Sequence, residues 1–195
     1  MGNTLVTVSG GIVMNNVYGG AANGHVQEDS KGVISGGTIG TTGVGGWHGN
    51  VFAGGGGTTR YKDNNTLNIR ITAGRVFGDT ELEMTGGHVL HNVYGGGAIA
   101  SVGTYNASEL VNPTHPYLGH GHSKITITGG EVGTDGDNNG MVFGSGRGQI
   151  AEPGNFLDYV TYVAFSEVNI GTGIVNENTG EVSNLSGNAK INGSV

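Results

Sequence analysis

Three histidines, His115, His120 and His122, sit close together in the string "THPYLGHGH". Imidazole nitrogens at short spacing suit zinc or nickel. On an extended segment, His120-x-His122 would carry both rings on one face. His88 and His91 stand a short way upstream, and no carboxylate completes the group nearby in sequence. Solvated loop histidines are the alternative reading. A second candidate is Asp135, Asp137, Asn139 and Gly140, which spell D-x-D-x-N-G, the first half of a calcium loop. Hard oxygen ligands on alternate residues followed by a turn glycine suit Ca²⁺. The twelfth place, which should carry a bidentate acid, is Gly146. A plain Asp/Asn/Gly turn has the same composition.

Carboxylates and aromatics give the remaining candidates. Glu81 and Glu83 alternate on one predicted strand, with Asp79 beside them and Arg70 and Arg75 close by in the sequence. An acid pair with a basic neighbour can perform general acid/base chemistry on a polysaccharide. Cross-strand ion pairs on a wet sheet have the same signature. Trp47, His48, Tyr61 and Tyr117 lie in predicted loops and could stack on or bond a sugar. "GGGG" at 54–57 is not followed by Gly-Lys-Ser/Thr, so it is no phosphate loop, and no G-x-S-x-G elbow occurs. No motif requires a cofactor; calcium is the ion the D-x-D-x-N-G motif suggests.

The elements that must position these residues come from a repeat. Glycine is 42 of 195 residues with three prolines and no strict Gly-X-Y period, so the excess is not collagen's. Disorder is opposed by the 12% charged and 35% hydrophobic content, much of it alternating. The recurring string is a period-two run, then Gly-Gly, then Val-aromatic-Gly-Gly: "TLVTVSGGIVMNNVYGGA" from Thr4, "GVISGGTIG" with "GNVFAGGGG" from Gly32, and "ELEMTGGHVLHNVYGGGA" from Glu81. "SKITITGGEVG" with "GMVFGSGRG" follows from Ser123. Weaker copies start at Leu67 ("LNIRITAGRVFGD"), at Ser166 ("SEVNIGTGIV") and at Gly187 ("GNAKINGSV"). Alternation means half-buried strands, and Gly-Gly means sharp bends. One such turn cannot bury its inward side chains, but stacked turns can, at about 4.8 Å per layer. The expected fold is all-β: a right-handed parallel β-helix (β-solenoid) of about six to seven coils with loop inserts, as a single domain over residues 1–195. Little or no α-helix is expected, and the coils in 150–180 are degenerate.

Spacing locates the inserts. From the second glycine of the bend to the Val of the Val-aromatic pair is 6 residues at Gly11–Val17 and at Gly87–Val93. It is 14 at Gly37–Val51 and 12 at Gly130–Val142, so these copies carry inserts of 8 and 6 residues on one side of the stack. Three longer connections follow the Val-aromatic strands, the longest running from Gly97 to about His122.

The motif resembles the GG-x-V…N-V-[YF]-GGG repeats of very large adhesin-like surface proteins of gut anaerobes. The resemblance is clearest at 4–26 and 81–103 and thinnest at 150–180. It implies a structural and adhesive, non-enzymatic role at the cell surface or outside the cell, with loops presented to a glycan or host ligand. A carbohydrate-active enzyme or sugar-binding module on the same scaffold, and a passive spacer, are the alternatives. Expected partners are adjoining repeats of the same polypeptide or edge-to-edge self-association, because neither end carries a clear cap. The chain reads as a segment of a longer protein. Net charge −7 argues against nucleic acid, no run of 18 apolar residues could span a membrane, and the absence of cysteine excludes disulfides and thiolate chemistry.

Overall fold

The computed structural model describes residues 2–43, 48–57, 61–63, 66–68, 72–104, 120–134, 139–148 and 161–195. The strands in chain order are β1 (Thr4–Val13), β2 (Val17–Tyr18), β3 (Ser30–Ile39), β4 (Val51–Phe52), β5 (Tyr61–Asp63), β6 (Thr66–Asn68) and β7 (Thr80–Val89). They continue with β8 (Val93–Tyr94), β9 (His122–Val132), β10 (Val142–Phe143), β11 (Phe165–Ile170), β12 (Thr172–Val175), β13 (Val182–Ser186) and β14 (Lys190–Ile191). The fold is all-β, with no α-helix among the described residues.

Parallel strands stack in two sheets. The long sheet runs β1-β3-β7-β9-β11, with β14 also paired to β9, and the short sheet runs β10-β8-β4-β2. A third side is made of single bridges, Val26 to Val76 and Val76 to Val102. The first three layers therefore run from a long strand through the Val-aromatic pair to one lone valine and back. The alternation read from the sequence sets the inside: Ile34, Leu82, Met84, Ile125 and Ile127 are buried, as are Val51, Val93 and Val142 opposite them.

Three features depart from the expected grammar. Gly-Gly does not separate two strands. The ladder continues through it, and the second glycine (Gly37, Gly87, Gly130) takes φ of +86° to bend one ten- or eleven-residue strand. The copy at Leu67 adds no layer: Thr66–Asn68 pairs antiparallel with Tyr61–Asp63, and Val76 belongs to the third side. The copies at Ser166 and Gly187 share one layer, because β11 pairs with the first half of β9 and β14 with the second. The sequence repeats thus outnumber the layers of the long sheet, whose six parallel strands include β11 and β14 side by side against β9.

Layer spacing turns repeat positions into columns of like side chains. Tyr18, Phe52, Tyr94 and Phe143 stack with centroids 5.0, 4.9 and 5.1 Å apart and planes within 12°. The asparagine preceding them forms a second column. Asn16 Oδ1 accepts the Asn50 N–H at 2.9 Å, Asn50 Oδ1 accepts that of Asn92 at 3.2 Å, and Asn92 Oδ1 accepts that of Met141 at 2.9 Å. These amides occupy backbone donors that the corner would leave orphaned. A hydroxyl column runs through Ser30, Thr80 and Ser123 on the long sheet, all buried. Ser30 Oγ donates to the Ala53 carbonyl at 2.8 Å and Thr80 Oγ1 to that of Gly95 at 2.7 Å. The interior is so narrow there that a Cβ on Gly95 would collide with Ser123 Oγ, which explains the small residue after each aromatic.

Inserts leave the stack through glycine necks. Gly40 and Gly49 flank residues 41–48, and Gly133 and Gly140 flank 134–139, matching the spacing argument. The same device closes 58–73 (Gly57, Gly74), 104–120 (Gly103, Gly121) and 172–186 (Gly171, Gly187). All ten glycines have positive φ. At the first neck a Cβ on Gly40 would lie 2.6 Å from the Cα of Gly49.

Two stability predictions follow from the columns and the necks. Phe52→Ala, at a fully buried position between two rings, should cost about 3–5 kcal/mol in denaturant unfolding. Phe143→Ala, 39% exposed at the end of the described column, should cost clearly less. At the necks, Gly40→Ala meets both a positive φ and the facing backbone, whereas Gly43→Ala has φ +79° and nothing within 4 Å. The second change should cost about 1–2 kcal/mol and the first measurably more; equal losses would refute the close-contact account.

Candidate functional site

A groove of about 460 Å³ runs across the start of the long sheet. One wall is the corner before each strand, where Asp29 precedes Ser30 and Asp79 precedes Thr80. The other is the outward column Leu5, Lys31, Glu81, Lys124, Glu167, whose members pair in register from layer to layer. From Lys31 on, the column alternates in sign, the favourable cross-strand arrangement. Lys31 Nζ lies 3.0 Å from Glu81 and 2.9 Å from Glu83, and Lys124 lies 3.6 Å from Glu167. Hydrogen bonds from Lys31 to Glu83 and then Glu81 raise the lysine's pKa. The Asn169 amide, with Lys124 adding to it, holds Glu167 below the ordinary carboxylate range.

The corner wall is another side-chain ladder. Asn3 Oδ1 accepts the Asp29 N–H at 2.9 Å, and Asp29 Oδ1 accepts the Asp79 N–H at 2.9 Å. Asp79 Oδ1 accepts those of Gly121 and His122 at 2.8 and 2.9 Å. His120, at the end of the 104–120 insert, brings its ring to these acids: ligand atoms of Asp29, Asp79 and His120 lie within 4.8 Å of one another.

The histidines expected to act together are split. Gly121, at φ +111°, breaks the extended run between His120 and His122. His122 then lies against Phe165, its Nε2 3.7 Å from Glu167, while His120 joins the two aspartates. His88 and His91 are engaged elsewhere, with the Gly133 carbonyl and the His48 carbonyl respectively. Arg75 is not beside Glu81 and Glu83: it is buried, bonded to the Gly103 carbonyl and stacked over Phe77. Asn139 is buried and closes its insert, its Oδ1 accepting the Thr134 N–H at 2.9 Å. His48 sits at the Gly49 neck, its Nδ1 2.8 Å from Asn15 Oδ1. Trp47, Tyr117, His115, Asp135 and Asp137 lie outside the described residues, and Tyr61 is placed only as backbone in β5.

Asp29 escaped the sequence reading and Asp79 was grouped with Glu81 and Glu83, although "VQEDS" and "VFGDT" carry a shared V-x-x-D-[ST] spacing. A lone valine makes no periodic signal, so the third side and the corner after it read as loop.

No family model, curated protein or solved structure matches this chain. No helix among the described residues is long and apolar enough to cross a membrane.

The depressed carboxylates set a pH dependence. Glu167 is lowered by Asn169 and Lys124, and Glu131 by Asn192 and Lys190. A carboxylate with a lowered folded-state pKa stabilises above its unfolded value, and that contribution disappears as pH falls through the folded value. Thermal melts from neutral pH to about pH 3 should therefore show less acid destabilisation in Glu131→Gln and Glu167→Gln than in the parent. Identical acid limbs would remove these groups from the account.

Proposed function

We propose that the chain is a right-handed β-solenoid of about five coils that serves as a structural and adhesive scaffold outside the cell, presenting its groove and corner inserts to a glycan or host-surface ligand. The observation that carries this reading is the separation of two kinds of sequence. Aromatic, amide and hydroxyl columns run from layer to layer, while five inserts leave through glycine necks without breaking the sheets. Right-handed winding is the general rule for crossovers between parallel strands. The six strands of the long sheet, with β11 and β14 sharing one layer, support about five coils instead of six to seven. A groove lined by both signs of charge suits a hydroxyl-rich polar ligand better than an apolar one. The β1 edge carries exposed Leu5 and Ile12 where inner layers carry charged or polar groups, which supports contact with adjoining repeats or a second copy.

A carbohydrate-active enzyme is the second reading, favoured by Glu81, Glu83 and Lys31 meeting at one point of the sheet. The same three groups form the cross-strand ion pairs expected of a wet sheet face, so binding is the stronger reading.

A glycan array with the 195-residue chain tests the proposal. Retention on a defined glycan, reduced about tenfold or more by Lys31→Ala or Trp47→Ala, is expected. Retention on no glycan, or retention that neither change affects, would leave the spacer reading; release of reducing ends from a retained polysaccharide would establish the enzyme.

A further inference from the structure

We propose that Asp29, Asp79 and His120 form a binding site for a divalent cation of the first transition row, zinc being the simplest probe. Two of its ligands stand in one wall of the groove, but the site does not rest on the glycan reading. Its argument begins with what the corner ladder requires. The structural task at this position is to offer a side-chain carbonyl to the next layer's N–H. Asparagine performs that task at Asn3 in this ladder and at Asn16, Asn50 and Asn92 in the other. Asp29 and Asp79 perform it with one oxygen each, and each keeps a second oxygen with no hydrogen bond among the described residues. Their negative charges therefore exceed what the fold uses.

Those charges are also placed at a cost. Two carboxylates on adjacent layers repel, and like charges directly opposite destabilise a sheet. The nearby lysines are committed elsewhere, Lys31 to Glu81 and Glu83 and Lys124 to Glu167. Asp29 and Asp79 have no ion pair among the described residues. What does approach them is an imidazole, carried in from the end of a long insert by the Gly103–Gly121 neck, with ligand atoms of all three groups within 4.8 Å.

Two carboxylates and one histidine form a mixed oxygen-nitrogen set that suits zinc or manganese with water completing the shell. Bonds of about 2.0–2.2 Å bring ligand atoms to roughly 3–4 Å from one another. Small rotations of Asp29 and His120, both exposed, close that difference. The ion would join the end of the insert to two layers of the stack.

The test uses isothermal titration of the whole chain with zinc chloride, alongside melting curves with and without the ion. The parent should bind one equivalent and melt higher in its presence. Asp79→Asn should weaken binding at least tenfold yet melt no lower than the parent without metal, because the amide still accepts the Gly121 and His122 N–H groups and no longer repels Asp29. His120→Ala should do the same. The proposal is overturned if the parent binds no zinc, or if Asp79→Asn binds as tightly as the parent, which would assign the ion to loop histidines alone. It is equally overturned if calcium binds the site and His120→Ala has no effect.

Discussion

Parallel stacking at one fixed layer distance, about 4.8 Å, is the constraint from which the other features follow. It places the same repeat position of successive layers directly over itself, so a side chain is selected by how it meets its own kind. Aromatic rings stack, amides pass a carbonyl to the next N–H, and hydroxyls share a narrow strip of interior. Like charges repel when stacked, and Lys31, Glu81, Lys124 and Glu167 alternate in sign for that reason. Glycine content reflects the same geometry, because bends and necks bring backbones closer than a Cβ permits.

Much of this was legible in the sequence. Period-two alternation identified the inward residues of the long strands, and the Val-aromatic pair marked the short sheet. The spacing between bend and pair located two inserts to the residue, because a layer has a fixed shortest perimeter and any excess must leave it. The aromatic column was legible because ring and glycine recur together.

What the sequence concealed involves single residues and long-range closure. One valine per layer, Val26, Val76 or Val102, holds the third side, and a lone apolar residue has no period. The string at Leu67 alternates like a layer strand but lies inside an insert, where it pairs with its own neighbour instead. Alternation reports a half-buried strand without naming its partner. At the candidate site, His120 and Asp79 were visible but read into separate groups, and Asp29 was not seen. Asp29 and Asp79 are far from it along the chain and become its neighbours only when layers superpose. His120 and His122 meet different groups for a local reason, the positive φ of the glycine between them.

The necks set how this architecture tolerates change in length. Each brings the two ends of an insert together before the insert begins, so the layers experience only the neck. For a flexible segment, doubling the number of residues between fixed ends costs about 0.6 kcal/mol in closure entropy. The residues between Thr41 and His48, or between Thr134 and Asn139, could therefore be exchanged for segments of different length and composition with little penalty to the stack. A chain built this way can vary its surface by insertion and deletion, a faster route to new shapes than point substitution within the columns.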